Sequence, residues 1–228
     1  MESLEKIYLE RLGPTWYEIL ESYILSVDFA KVRDAITQSM QQTAVYPVPT
    51  LAFEAFRLCP YDTTKVVIIG QDPYHNGTAN GLAFSANKLN PSLRNIIAAI
   101  EAEYGSYFWR SYDLTDLAVQ GVLLLNTALT VERGKPGSHL HLWRDFTKIV
   151  VTALKQKEHL VWMAWGKYAK TIIGEVPPNH LLLEAIHPAA TVYNHDLNFE
   201  PQFKRCDEYL FNLNMSAIQW QNETDLPF

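Results

Sequence analysis

The chain has 228 residues, 48% of them hydrophobic, with a formal net charge of −6 and two cysteines. That is enough to bury one large core or two small ones, and two cysteines exclude a four-cysteine iron–sulfur cluster within the chain. The acidic balance weighs mildly against a nucleic-acid partner, since phosphate binding usually needs a basic face, though a local basic patch can coexist with an acidic remainder.

Met1 to Arg11 is acidic and amphipathic, without the basic start, apolar run and small-residue cleavage site of a signal peptide. No apolar run approaches membrane-spanning length, so a cytoplasmic protein with no membrane partner is expected. Cys59 and Cys206 lie in unrelated segments and read as reduced core thiols. No linker, charge block, low-complexity segment or repeat interrupts the chain, and a single domain over residues 1–228 is expected.

From Pro14 to Met40, apolar residues at helical spacing predict two helices meeting near Ser26-Val27-Asp28, with Asp28 as the cap. Tyr46-Pro47-Val48-Pro49-Thr50 cannot be regular helix, and Thr50 is placed as the cap of a short helix from Leu51 to Leu58. Lys65-Val66-Val67-Ile68-Ile69 then runs straight into Gly70-Gln71-Asp72-Pro73-Tyr74-His75. An apolar run without polar alternation reads as a strand buried on both faces. Gly70 ends it, and Pro73 makes a return to the ladder improbable. The loop that follows carries a carboxylate, a phenol and an imidazole within four residues.

After turn residues at Asn76 to Asn80, Gly81-Leu82-Ala83-Phe84-Ser85 reads as a short extended piece. Asn90-Pro91-Ser92-Leu93 opens a helix to about Glu103, capped by Asn90 or Ser92, and the aromatic run Tyr107-Phe108-Trp109 reads as core. A short helix from Thr115 to Gln120 leads to a second strand, Val122 to Asn126. A helix from Leu142 to Lys155, a strand from Leu160 to Gly166, a short helix from Lys167 to Ile173 and a strand from Leu181 to Ile186 follow. That fourth strand ends in His187-Pro188, and a helix from about Glu200 to Asn212 closes the chain. The alternation predicts an α/β fold, a central four-stranded parallel sheet flanked by helices with right-handed crossovers. The four strands end in Gln71-Asp72, Asn126, Gly166-Lys167 and His187. In a parallel sheet these ends share one edge, where open α/β folds place their chemistry.

At these residues the chain resembles the main family of uracil-DNA glycosylases. The water-activating motif is complete as Gly70-Gln71-Asp72-Pro73-Tyr74-His75. Val45-Tyr46-Pro47, Gly81 to Ser85, Pro91 to Ile96, Gln120 to Asn126, Leu129-Thr130-Val131, Trp165 to Ala169 and His187-Pro188 fit in order, from about Pro14 to Leu210. The resemblance implies a monofunctional hydrolase that flips uracil out of single- or double-stranded DNA and breaks its glycosidic bond.

It further implies that Asp72 orients the attacking water and stabilises a cation-like sugar, while neutral His187 donates to the uracil oxygen that gathers negative charge. Sugar hydrolases commonly use two carboxylates, but here uracil leaves as an anion and a strong acid is less needed. Phe84 stacks on the base, Tyr74 excludes the thymine methyl, Asn126 reads the imide edge and the Gln71 backbone holds the other carbonyl. His75, Ser92, Gly166, Lys167, Pro188 and Ala189 are the implied DNA-phosphate contacts. No metal or cofactor is implied, and a monomer is expected; any inhibitor or replication partner is not specified.

The chain departs from the family at its last motif. There the family reads His-Pro-Ser-Pro-Leu-Ser before Val-Tyr, and this chain has His187-Pro188-Ala189-Ala190-Thr191 before Val192-Tyr193, one residue shorter. The leucine that fills the gap left by the flipped base has no counterpart; Thr191 is the nearest candidate wedge, with Tyr193-Asn194-His195 as another surface. Lys167 stands where serine is usual, and the proline-rich loop before Ser92 is reduced to Asn90-Pro91. These changes touch DNA handling, so better processing of single-stranded than duplex uracil is expected. Two other readings stay open: a DNA-binding module with weak catalysis, kept by the altered loop, and a glycosylase for another base, opposed by Tyr74 and Asn126. His139 and His141 alternate in a loop without a carboxylate or thiolate partner, so zinc is not expected there.

Overall fold

The computed structural model describes residues 3–105, 111–192 and 201–221, with the side chains of residues 191 and 192 excepted. Tyr107-Phe108-Trp109 and Tyr193-Asn194-His195 lie outside the described residues. Helices α1 (Leu4–Leu12), α2 (Pro14–Ile24) and α3 (Val27–Gln42) open the chain. The sequence places the α3 cap at Asp28, but the structure places it at Ser26, whose Oγ accepts the Phe29 N–H at 3.2 Å. The helix starts two residues earlier than that reading allows, so Asp28 falls in its first turn and pairs with Lys31 instead.

Thr50 likewise does not cap a helix. Pro49–Leu51 forms a 3₁₀ turn, and α4 (Glu54–Leu58) follows with Phe53 at its N-cap and no side-chain cap. Two strands absent from the sequence reading, β1 (Val45–Tyr46) and β4 (Val131–Glu132), pair antiparallel. At two residues each they are too short for any periodicity to announce them, yet they anchor the loop that precedes α7 below.

The central sheet contains β2 (Val66–Gly70), β3 (Val122–Asn126), β5 (Val161–Trp165) and β6 (Leu181–Ala185). All pairings are parallel and the order is β3-β2-β5-β6. Every residue of β2, β3 and β5 is buried, as apolar runs covered on both faces require. Helices α5 (Pro91–Tyr104), α6 (Thr115–Val119), α7 (Leu140–Leu154), α8 (Gly166–Ile173) and α9 (Gln202–Asn212) complete the described elements. Pro91 occupies the first turn of α5 and Asn90, one of the two expected caps, holds the N-cap position, but its side chain makes no capping bond: its amide donates to Thr78 Oγ1 and to the Lys88 carbonyl instead. Gly81 to Ser85 is not extended either; it is a turn in which Phe84 has φ +63°, beside an isolated Ala79–Ala86 bridge.

One apolar cluster runs from Tyr8 to Trp220, with Trp16, Phe56, Trp143 and Phe146 packed edge-to-face at its centre. Cys59 and Cys206 are free and buried, and burial pushes the Cys59 thiol up to about 11, which leaves it inert. Among the described residues, no helix is long and apolar enough to cross a membrane. The strand order makes the chain leave β2 toward β3 on one side and β5 toward β6 on the other. A crevice opens at that divergence, at the carboxyl ends of β2 and β5.

Candidate active site

The carboxyl end of β2 is shaped by what Gly70 lacks. A Cβ there would lie 2.3 Å from Asn126 Oδ1 and 3.0 Å from the Ala83 methyl. Glycine therefore lets the Asn126 carboxamide lie across the strand end, where the register sets the two residues side by side. Asn126 is only 4% exposed, and its amide makes no hydrogen bond among the described residues. A buried amide without a partner costs about 1–3 kcal/mol.

The next two residues are held from the β3 side. The Gln71 carbonyl accepts from Ala128 N–H at 3.0 Å and from Thr127 Oγ1 at 2.8 Å. Thr127 Oγ1 has given its proton to that bond, so it accepts from the Tyr168 hydroxyl at 2.8 Å. Asp72 accepts a short hydrogen bond from the Gly137 N–H at Oδ2, and the Gln71 amide lies 3.4 Å from Oδ1. No cation pairs with Asp72 among the described residues, so its charge is left facing the cavity.

Tyr74 donates to the Phe84 carbonyl at 3.3 Å and accepts from the Leu93 backbone, and burial pushes its phenol well above the ordinary range. It is a fixed, un-ionised wall. The bond to Phe84 helps hold that residue in the left-handed region, where a bulky side chain is strained. The Phe84 ring packs against Trp165 at 5.5 Å and His187 at 6.1 Å between centroids.

His187 follows β6. Its Nδ1 accepts the Ala189 N–H at 3.1 Å, which puts the proton of the neutral ring on Nε2. Burial lowers its pKa below 6.5. Protonating Nδ1 would also set one N–H against another, so geometry and burial both favour the neutral ring. Asn95 Nδ2 donates to the Pro188 carbonyl at 2.6 Å and ties this loop to α5. Gly166, with φ +85°, would bring a Cβ within 2.8 Å of the His187 Cβ.

These groups line one cavity of about 350 Å³. It brings together Gln71, Asp72, Tyr74, His75, Phe84, Ser92, Asn126, His187 and Ala189. Gly166, Lys167 and Pro188 are not in its wall: Gly166 stands behind His187, Lys167 is exposed on α8, and Pro188 is buried against α5. The Thr191 backbone lies in the 3₁₀ turn Pro188–Val192, and its side chain is outside the described residues. The sequence reading missed Gly70 as a space-maker, together with Pro136 in the cavity wall and Gly137 as the Asp72 donor. The turn residues Gly134 to Gly137 were the available signal. His139 proves to be a buried core histidine, bonded through Nδ1 to Thr130 Oγ1 at 2.8 Å. No group of three metal-ligating side chains comes together among the described residues.

Residues 56–211 match the family model of the Uracil DNA glycosylase superfamily. The chain is 40% identical over 229 aligned residues to the uracil-DNA glycosylase of Acinetobacter baumannii strain SDF, covering 96% of this chain and 95% of that one. It is 38% identical over 217 residues to that of Amoebophilus asiaticus, covering 92% and 98%. The crystal structure of mimivirus uracil-DNA glycosylase superposes with a TM-score of 0.84 at 23% identity, covering 94% of this chain and 88% of the other, a likeness of fold.

Proposed function

The chain belongs to the uracil-DNA glycosylase superfamily, and from that premise we propose that its cavity takes one uracil flipped out of DNA and hydrolyses the bond to the sugar. The enzyme is a hydrolase of N-glycosyl bonds that leaves free uracil and an abasic site. The observation that carries the site assignment is the unpartnered Asn126 amide, which shares a cavity with the uncompensated Asp72 carboxylate and a neutral His187. Such a cavity suits a nucleoside and not a duplex, so the base must leave the stack.

In this reading positive charge develops on the sugar and Asp72 opposes it while orienting water. The negative charge moves to the departing uracil, where His187 Nε2–H donates to the carbonyl oxygen. The Asn126 amide meets the imide edge, the Gln71 N–H serves the other carbonyl, Phe84 stacks and Tyr74 excludes a methyl group. His75, Ser92 and Ala189 on the rim, and Lys167 outside it, are assigned to phosphates; Gly166 and Pro188 shape the loops that do so. The residues in place supply every role without a cofactor. The apolar cluster from Tyr8 to Trp220 supports residues 1–228 as one domain.

A panel of oligonucleotides with uracil, thymine or cytosine at one position tests this reading: uracil alone should be released. Release of thymine at a similar rate would remove Tyr74 from its role. Because His187 acts neutral and burial lowers its pKa, activity should be lost only on the acid side of the ordinary imidazole range. Its acid limb should have a midpoint below 6.5, measured as kcat against pH. A limb centred above that value would contradict the assignment.

The finer proposal concerns the strand. Ala189 and Ala190 are exposed after His187, and neither side chain is long enough to fill a gap in a duplex. Single-stranded uracil is therefore expected to be excised about tenfold faster than duplex uracil, since an unstacked base costs a few kcal/mol less to present. Thr191→Leu should raise the duplex rate. Equal rates on matched substrates, or no gain in that variant, would refute the preference without touching the chemistry.

A further inference from the structure

A groove of about 640 Å³ lies between α7 and α8, next to the catalytic cavity. Pro136 belongs to the cavity wall, whereas Gly137, whose N–H holds Asp72, belongs to the groove. One wall carries Arg144 and Lys148, one turn apart on a single face of α7, and Lys155 at its C-cap. None of the three is in an ion pair or side-chain hydrogen bond among the described residues, and no acidic residue lines the groove. In a chain of net charge −6 this is a local excess of bare positive charge. The floor is apolar through Val151 and Ile172, and Tyr168 supplies a ring at the end nearest the cavity.

We propose that this groove carries the single-stranded DNA that continues from the flipped uracil, with phosphates on the α7 cations and bases over the apolar floor. The inference rests on the glycosylase reading and adds a second binding track to it. An electropositive groove with ring and apolar contacts is the general form of a sequence-tolerant single-strand site. Arg144 and Lys148 are about 6 Å apart along the helix axis, on the scale of successive phosphates in an extended strand. A strand passing over Pro136 and Gly137 leaves the cavity directly into it. The track would also compensate for a weak wedge, because it holds substrate that needs no duplex to be opened.

The test compares a minimal single-stranded substrate with versions lengthened by about six nucleotides on the 5′ or the 3′ side. Lengthening on one side only should raise kcat/KM about tenfold, as expected for roughly three phosphate contacts. The triple variant Arg144→Gln, Lys148→Gln, Lys155→Gln should lose that gain and keep the minimal-substrate rate. Its salt slope, log K against log salt, should be shallower by about 2. An equal charge change elsewhere, Lys6→Gln, Arg11→Gln, Lys31→Gln, should keep the gain. Anisotropy with uracil-free strands of the same lengths gives the comparison without catalysis. No length effect, or an effect that survives the triple variant, would overturn the proposal; the surviving effect would leave the groove to an acidic peptide. Absence of excision on every substrate, with one-sided strand binding intact, would instead defeat the glycosylase reading.

Discussion

Asp72→Asn is expected to lower kcat on a single-uracil oligonucleotide by about 10³-fold while leaving substrate affinity nearly unchanged. Asparagine keeps the shape and can still accept the Gly137 N–H, so the loop should hold its course. What it loses is the negative charge, which opposes the developing positive charge on the sugar, and the capacity to take a proton from water. The base is gripped by other groups, so KM should move little. Single-turnover rates with matched affinity measurements check this. A loss below tenfold, or a loss expressed in affinity, would place the chemistry elsewhere.

Asn126→Leu should move activity and stability in opposite directions. Among the described residues the buried Asn126 amide has no hydrogen-bond partner, and an apolar side chain of similar size relieves that cost of about 1–3 kcal/mol. For a chain of this length, each kcal/mol raises the melting temperature by roughly 2–4 °C. With the amide gone, the imide edge of uracil enters the cavity unpaired. Sites built to hydrogen-bond a substrate discriminate strongly against such mismatch, and kcat/KM should fall by at least about 10²-fold. Thermal unfolding and kinetics on one preparation decide it. A less stable variant would mean that Asn126 supports the fold and not a ligand.

The buried strands were legible because Val66 to Ile69, Val122 to Leu125 and Val161 to Trp165 are uninterrupted apolar runs, which few other structures accommodate. Their polar ends then located one edge of the sheet, and the cavity collects Asp72, Asn126 and His187 from three of those ends. The resemblance supplied what no run could, the pairing of roles with residues. Capping was misread at Asp28 because Ser26, of equal capping ability, cannot be ranked against it without knowing where the helix axis begins, and at Thr50 because α4 starts after Phe53 with no side-chain cap at all. Phe84 was misread as extended because its backbone is held from outside, by Tyr74 and by the packing of its ring. Gly137 acts through its backbone, and a backbone donor leaves no trace in side-chain chemistry. Gly166 has a steric duty that its sequence context did not announce, which is to let His187 close in.

The central claim, that side chains at the ends of β2, β3 and β6 suffice to cut uracil from its sugar, is tested most directly by a stoichiometric release assay. The wild-type protein is incubated in chelator-containing buffer with a single-stranded oligonucleotide bearing one uracil, and free base and alkali-labile sites are counted together. The account requires one uracil released for each abasic site formed, at full rate in the chelator. Intact substrate, or release that demands an added metal, would contradict it.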